Sequence, residues 1–206
     1  HNLDYDNLSD MKSIKKVNKL SIVLSSKDFS SGHKKRIKFL DKLMNSSIAD
    51  SVDLYGHGYN PIPDKWDAIA KYKYYLVIEN GVHKDYWSEK LADAFLGFSL
   101  PIYYGCPNIY DYFSKDSMIL IDIDDFDKSI ETIKRTIEGN LYEKKVDSIN
   151  IARNQILNEY NIFNLMSNMA LTKASGLKNV KLQTNYFFSD SWFKKIARYF
   201  LNKLKL

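Results

Sequence analysis

The chain has 206 residues, and 45% of them are hydrophobic, so it is long enough to bury the core of one sizeable domain. Its net charge is +5, and its single cysteine, Cys106, excludes an internal disulfide and fits a reducing compartment such as the cytoplasm. No apolar run approaches the ~20 residues that span a bilayer, and charges of both signs are mixed through most of the chain, which gives no indication of nucleic-acid binding.

The first third of the chain predicts a short lead-in followed by alternating strands and helices. Residues 1–18 are polar and weakly periodic, and we expect a linker or tail there. The apolar run Leu20–Leu24 predicts a buried strand, and Val52–Tyr55 predicts another. Helical spacing of apolar residues predicts a helix over Gly32–Asn45 and a short one over Asp64–Lys71.

The alternation continues through the middle of the chain. Buried strands are predicted over Tyr74–Ile78, Pro101–Tyr104 and Met118–Asp122, with one helix starting near Ser88 and another over Phe126–Ile137. Strand and helix thus alternate about five times, which is the pattern of βαβ units. The predicted fold class is α/β, a parallel sheet with helices on both faces.

The end of the chain has a different character. Residues 141–175 predict a helical extension, and residues 176–206 a tail that contains a basic amphipathic helix. Over 191–206, aromatic and aliphatic residues recur at three- and four-residue steps, and five basic residues fall mostly on the other side. This pattern is typical of a segment that lies in a membrane interface, so we expect peripheral membrane contact. Packing of the apolar face on the domain remains an alternative.

Polar residues cluster where the third predicted strand ends and the next helix begins. In open α/β sheets, ligands bind at this edge because strand ends and helix N-termini leave backbone N–H groups facing one crevice. The cluster comprises Glu79, Asn80, Tyr86, Glu89 and Lys90.

The chemistry of these residues suits a nucleotide sugar. Arg36 and Lys90 would place two cations beside helix N-termini, an arrangement that favours a diphosphate. Glu89 can accept hydrogen bonds from a sugar hydroxyl or stabilise positive charge on a sugar ring, while Asn80 and Tyr86 offer an amide and a phenol. By spacing alone, a capping or surface role is the more common one for such an acid–base pair.

Several motifs of the chain resemble those of family 10 glycosyltransferases, the α1,3/α1,4-fucosyltransferases. IEN at 78–80, DYWSEK at 85–90 and PIYYG at 101–105 resemble the donor-binding signature of that family. The likeness runs from about Leu20 to Thr136. It implies that residues 19–140 form a Rossmann-like nucleotide-sugar-binding domain, the C-terminal half of a two-domain enzyme of the GT-B fold.

The resemblance also implies roles for individual residues. Glu89 would hold fucose hydroxyls and support an oxocarbenium-like transition state. Lys90 and Arg36 would neutralise the leaving GDP, so no metal or other cofactor is expected. The general base, a glutamate of the acceptor-binding domain, has no counterpart in this chain. The positions that match, or lie beside, those that bind GDP-fucose are Arg36, Asn80, Tyr86, Glu89, Lys90, Ser26 and Lys27.

The activity implied is the transfer of fucose from GDP-fucose to a glycan hydroxyl with inversion, α1,3 to GlcNAc or glucose. A bacterial enzyme of lipopolysaccharide or other surface-glycan synthesis, at the inner face of the membrane, fits these features. Two alternatives stay open. The site may serve another nucleotide sugar in surface-polysaccharide assembly, or the chain may be a non-catalytic nucleotide-sugar or membrane-binding module.

Overall fold

The structure is a computed structural model that describes residues 2–24 and 31–173. Ser26, Lys27 and the tail at 176–206 lie outside the described residues. The chain divides into two units, His1–Leu165, which contains the sheet, and Met166–Leu206, which is described only over 166–173. No helix within the described residues is long and apolar enough to cross a membrane.

Five parallel strands form a single sheet, as the sequence predicts. They are β1 (Val17–Val23), β2 (Val52–Tyr55), β3 (Tyr72–Ile78), β4 (Leu100–Tyr104) and β5 (Ile119–Leu120), in the spatial order β2-β1-β3-β4-β5. The described α-helices are α1 (Tyr5–Asp10), α2 (Ser31–Met44), α3 (Glu89–Leu96), α4 (Phe126–Glu138), α5 (Leu141–Asn158) and α6 (Ile162–Lys173).

The central strand β3 and its neighbour β4 are buried along almost their whole length, which is why they consist of continuous apolar and aromatic runs. In β3, every residue from Tyr74 to Ile78 is buried, and Tyr103 of β4 is fully enclosed. The register pairs Ile78 with Tyr104, so both strands end at the same level. Glu79 and Gly105, the next residue of each strand, therefore lie side by side at the carboxyl edge of the sheet.

Helices cover both faces of the sheet, as predicted. The chain steps from β1 to β2 through α2, and in the opposite direction from β3 to β4 through α3. Because such crossovers are right-handed, α2 and α3 lie on opposite faces. α2 contacts α4, and α3 contacts α5, so each face carries a pair of helices.

Three predicted elements differ in extent from the observed ones. The helix expected over Asp64–Lys71 is only a 3₁₀ segment at Lys65–Ala68, in which Asp64 Oδ1 accepts the Trp66 N–H at 2.9 Å. The strand expected over 118–122 shortens to β5. The helical run expected over 142–172 divides into α5 and α6, because the amides of residues 159 and 160 both donate to the Gln155 carbonyl at 2.8 Å.

The start of the chain packs on the domain, whereas the sequence predicts a linker or tail there. Asp4 caps α1 by accepting the Asn7 N–H at 2.9 Å. Leu8 is 5% exposed and belongs to the core cluster. Its carbonyl accepts a hydrogen bond from Nη2 of Arg153, a buried residue of α5 that is 145 positions away. The burial of Leu8 and a hydrogen bond from a distant arginine thus help to hold a segment that is only weakly periodic.

Candidate functional site

A crevice of about 360 Å³ opens at the carboxyl edge of the sheet, between the start of α2 and the loop after β3. Its position is the one at which open α/β sheets bind ligands. A larger cavity of about 490 Å³ lies along the outer strand β2, and its lining contains none of the predicted site residues. The crevice is lined by Gly32, Lys35, Glu79, Asn80, Gly81, Val82, His83, Tyr104 and Ile123.

Arg36 lies in α2 and is only 7% exposed. Its Nε has no hydrogen-bond partner among the described residues. Burial lowers the pKa of Arg36, and the charge of Glu79 opposes that shift, so the two residues sense one another across the sheet edge. A buried guanidinium whose Nε has no partner among the described residues is unusual, and guanidinium groups pair readily with phosphate.

The sequence reasoning missed Lys35, the residue before Arg36. Lys35 lines the crevice, and its Nζ lies 2.7 Å from Oδ2 of Asp124. That hydrogen bond raises the pKa of Lys35. The run of three basic residues at 34–36 near a helix start was the signal available in the sequence. The helical phase decided that Lys35 faces solvent and the crevice while Arg36 is buried.

The start of α3 is built around the carboxylate of Glu79. Ser88 is the N-cap, and its amide N–H donates to Oε1 of Glu79 at 2.9 Å. The Ser88 hydroxyl lies 2.7 Å from Oε2. Lys90 Nζ is 3.0 Å from Ser88 Oγ and 3.5 Å from Oε2 of Glu79. Sequence reasoning placed Glu79 in the polar cluster without giving it a role.

Glu89 and Lys90 come together as predicted, at the first turn of α3. Glu89 Oε1 lies 3.3 Å from Lys90 Nζ, and the Glu89 side chain is 64% exposed against 27% for Lys90. Partial burial acts to raise the pKa of Glu89, but the charge and the hydrogen bond of Lys90, with smaller contributions that include the charge of Lys65, together outweigh it, and the net pKa is lowered. Glu89 is therefore an ionised, accessible carboxylate beside a half-buried ammonium, a pairing suited to a sugar hydroxyl next to a phosphate.

The loop between β3 and α3 is clamped at its far end. Asp85 has a φ of 61°, and its carboxylate accepts hydrogen bonds from Asn108 Nδ2 at 2.7 Å and from Tyr112 OH at 2.9 Å. These bonds lower the pKa of Asp85. Trp87 packs against Phe113 with ring centroids 5.3 Å apart. The clamp fixes the backbone on both sides of the intervening tyrosine.

That tyrosine, Tyr86, is 38% exposed and contacts the ring of His83, which lines the crevice. Asn80 lines the crevice directly and is exposed. The structure thus brings Asn80, Tyr86 and Arg36 to the same sheet edge as the start of α3. Where Ser26 and Lys27 lie relative to this edge is outside the described residues.

Comparison with known proteins now decides the family. The family model described as "Glycosyltransferase family 10 (fucosyltransferase) C-term" matches residues 14–139, more than half of the chain. The chain belongs to glycosyltransferase family 10. Its matched part covers the sheet, the crevice and every predicted site residue.

The relatives of this family 10 chain include fucosyltransferases from animals and bacteria. It is 34% identical over 121 residues to mouse (Mus musculus) 4-galactosyl-N-acetylglucosaminide 3-alpha-L-fucosyltransferase 9, a stretch that covers 56% of this chain and 30% of the mouse protein. It is 35% identical over 78 residues to an alpha-(1,3)-fucosyltransferase of Helicobacter pylori, covering 37% and 16% respectively.

The fold agrees with that of solved family members. A crystal structure of an alpha1,3-fucosyltransferase with GDP-fucose superposes with a TM-score of 0.52 at 27% identity, over 64% of this chain and 38% of that one. A structure of an alpha1,3-fucosyltransferase with GDP gives the same TM-score. The α/β architecture predicted from the sequence, the C-terminal half of a GT-B glycosyltransferase, is therefore confirmed. The family 10 chain spans well under half of the length of these proteins.

Proposed function

We propose that this family 10 chain supplies the donor-binding half of an inverting glycosyltransferase that moves fucose from GDP-fucose to a glycan hydroxyl. The observation that carries the proposal is the buried guanidinium of Arg36, whose Nε has no hydrogen-bond partner in the part of the chain that the structure describes, at the same sheet edge as Lys90. A cation in the second turn of α2 and another in the first turn of α3 suit a diphosphate. The relative solved with GDP-fucose supports the choice of donor.

The proposed chemistry assigns separate tasks to the charged residues. Arg36 and Lys90 bind the diphosphate and neutralise the charge that develops as GDP leaves, so the reaction proceeds without a metal or other cofactor. Glu89 accepts hydrogen bonds from fucose hydroxyls and stabilises the positive charge on the sugar ring. Asn80 and Tyr86 contact the donor from the other side of the crevice, and Ser26 and Lys27 touch the nucleotide.

Inversion requires a single displacement, in which a base removes the proton of the acceptor hydroxyl while the diphosphate leaves from the opposite face. We propose that this base, a glutamate in the family, comes from an acceptor-binding domain outside these 206 residues. The acceptor proposed is a GlcNAc or glucose unit of a surface glycan such as a bacterial lipopolysaccharide, joined in α1,3 linkage. The names of the relatives support that linkage.

Residues 191–206 are proposed to bind the inner face of the membrane from the cytoplasm. The basic and aromatic pattern of that segment supports the proposal. Flotation with vesicles of mixed anionic and zwitterionic lipids tests it. The chain should float with the vesicles, and a variant with Lys194, Lys195 and Arg198 changed to Gln should remain at the bottom. Equal flotation of both proteins would count against an electrostatic membrane contact.

The donor is tested by calorimetric titration of the chain with GDP-fucose, GDP-mannose and UDP-galactose. We expect GDP-fucose to bind most tightly and Glu89→Ala to weaken its binding by about tenfold. Glu138→Ala, which removes an exposed carboxylate at the end of α4, is the matched control and should bind like the unaltered chain. Preference for another donor would make the chain a transferase for a different nucleotide sugar, and absence of binding to all three would contradict the proposal.

A further inference from the structure

Glu79 is a buried carboxylate to which the mechanism above gives no task. Although Glu79 borders the crevice, its side chain is 0% exposed, so it is out of reach of a bound donor. A buried carboxylate is costly unless it is paired and hydrogen-bonded, and among the described residues the hydrogen-bond partners of the Glu79 carboxylate are Ser88 and Lys90, both at the start of α3. We propose that Glu79 is a positioning residue that holds Lys90 in place, directly and through Ser88. This inference rests on the proposed function, in which Lys90 meets the diphosphate.

The contact with Glu79 fixes the direction of the Ser88 hydroxyl. Ser88 Oγ lies 2.7 Å from Oε2 and 2.9 Å from Oε1 of Glu79. An ionised carboxylate only accepts hydrogen bonds, so the single hydroxyl proton points toward Glu79. The lone pairs of Oγ are then free to accept from Lys90, whose amide N is 3.4 Å away and whose Nζ is 3.0 Å away. Glu79 thereby makes Ser88 an acceptor for both the helix start and the ammonium.

Two carboxylates contact Lys90, and they differ in burial. Glu79 Oε2 is 3.5 Å from Nζ and fully buried, whereas Glu89 Oε1 is 3.3 Å away on a side chain that is 64% exposed. Exposed ion pairs contribute little because solvent screens them and both side chains are mobile. A diphosphate can therefore replace Glu89 as a partner of the ammonium, while Glu79 and Ser88 continue to hold it. Release from Lys90 also leaves Glu89 available for the sugar.

Removal of the charge of Glu79 should disturb the contacts of both Ser88 and Lys90. In Glu79→Gln, the side-chain amide carries an N–H donor that faces either Ser88 Oγ or the ammonium of Lys90. The hydroxyl of Ser88 then loses its fixed direction, and Lys90 loses its buried counter-charge. Ser88→Ala removes the relay, while Ser88→Thr keeps the hydroxyl and serves as the conservative variant.

The acetylation rate of Lys90 reports, without any ligand, how firmly its ammonium group is held. The full chain is treated with an acetylating reagent, and peptide mass spectrometry gives the rate at each lysine. Glu79→Gln and Ser88→Ala should raise the rate at Lys90 by about tenfold, and Ser88→Thr should stay within about twofold of the unaltered chain. Lys84, an exposed lysine in the preceding loop, is the internal control and should not change. A merely structural role would raise the rates at many lysines together.

The same variants are titrated with GDP and with guanosine. Because Lys90 is proposed to contact only the diphosphate, Glu79→Gln should weaken GDP binding by about tenfold and leave guanosine binding unchanged. If the unaltered chain binds neither molecule, the proposed function fails, and the acetylation rate at Lys90 alone decides the positioning role.

If GDP binds and Glu79→Gln changes neither its affinity nor the rate at Lys90, the positioning role is overturned while the proposed function stands. If Glu79→Gln does not fold, the two Ser88 variants decide the question. Equal Lys90 rates in Ser88→Ala and Ser88→Thr would overturn the proposal, and a rise confined to Ser88→Ala would support it.

Discussion

The end of β4 approaches the carboxylate that follows β3 so closely that a Cβ atom at Gly105 would lie 2.5 Å from Cγ of Glu79. The same atom would be 2.6 Å from the hydroxyl of Tyr103. A glycine is therefore required at position 105, because the ends of the neighbouring strands β3 and β4 approach each other closely there. It gives Glu79 the room to reach the start of α3.

Gly105→Ala should displace Glu79 without altering any charge. Overpacking of a buried site typically costs about 1–3 kcal/mol, so we expect a loss of that size in the free energy of unfolding, measured with urea, together with weaker GDP binding. For the stability measurement Gly81→Ala is the control, because a Cβ there meets only the end of the His83 side chain, at 3.0 Å. Equal stability of both variants would contradict the packing argument.

Arg36→Met should separate binding from stability. The substitution removes a buried charge whose Nε finds no hydrogen-bond partner among the residues that the structure describes, and replacing a poorly satisfied buried ion with an apolar side chain is often neutral or stabilising. We therefore expect unchanged or higher stability toward urea and a loss of GDP affinity of about tenfold or more. Arg135→Met, at an exposed arginine of α4, is the matched control and should leave GDP binding unchanged. A destabilised Arg36 variant would indicate a structural role instead.

The stability of the domain should depend on pH through Lys16, whose Nζ donates to the carbonyl of Gly97 and lies 3.1 Å from Ser99 Oγ. Burial lowers the pKa of Lys16 from 10.5 to about 7. Between these two values the unfolded chain holds a proton that the folded chain has released, so stability rises with pH across this window. Below pH 7 the folded state carries the full penalty of a buried ammonium.

This dependence is measured by urea unfolding at several pH values between 6 and 10, reported as the difference between the unaltered chain and Lys16→Met. The contribution of Lys16 to the free energy of unfolding should change by up to about 1.4 kcal/mol per pH unit within the window. The difference in the free energy of unfolding between the unaltered chain and Lys15→Met, at an exposed neighbour, should not change with pH. A flat difference for Lys16→Met as well would show that the ammonium is not desolvated.

The packing of the first helix on the domain predicts a cost for Leu8→Ala. Leu8 is 5% exposed, and removal of a buried leucine side chain costs about 2–5 kcal/mol. Leu171→Ala is the same change at a side chain that is 76% exposed, and it should have little effect. Chemical denaturation of both variants checks the prediction. Identical midpoints would restore the expectation of a linker or tail over 1–18.

Patterns within short stretches of sequence were sufficient for most of the fold. The apolar runs that became β1, β3 and β4 are long enough to bury both faces of a parallel strand, so the strands were predicted within a few residues. The helix predicted to start near Ser88 is α3, which begins at Glu89 with Ser88 as its N-cap, and an N-cap uses only neighbouring backbone groups. These signals are local, and the fold follows them.

The candidate site was predictable only in part. Asn80, Glu89 and Lys90 belong to motifs of the family signature, and the structure brings them to one sheet edge. The role of Glu79 and the presence of Lys35 in the crevice were missed, because both depend on side-chain direction and on partners contributed by other elements.

The approximate positions of most strands and helices, and the charges at their ends, can be predicted from the order of the amino acids, because each depends on a few neighbours along the chain. The burial of those charges cannot be predicted in this way. Arg36 is desolvated by the residues that surround it in the folded domain. Lys16 is desolvated by contacts with residues more than 80 positions away. Leu8 is covered with the help of Arg153. Desolvation and hydrogen-bond pairing depend on atoms that meet only when distant segments pack, so the tertiary structure alone decided them.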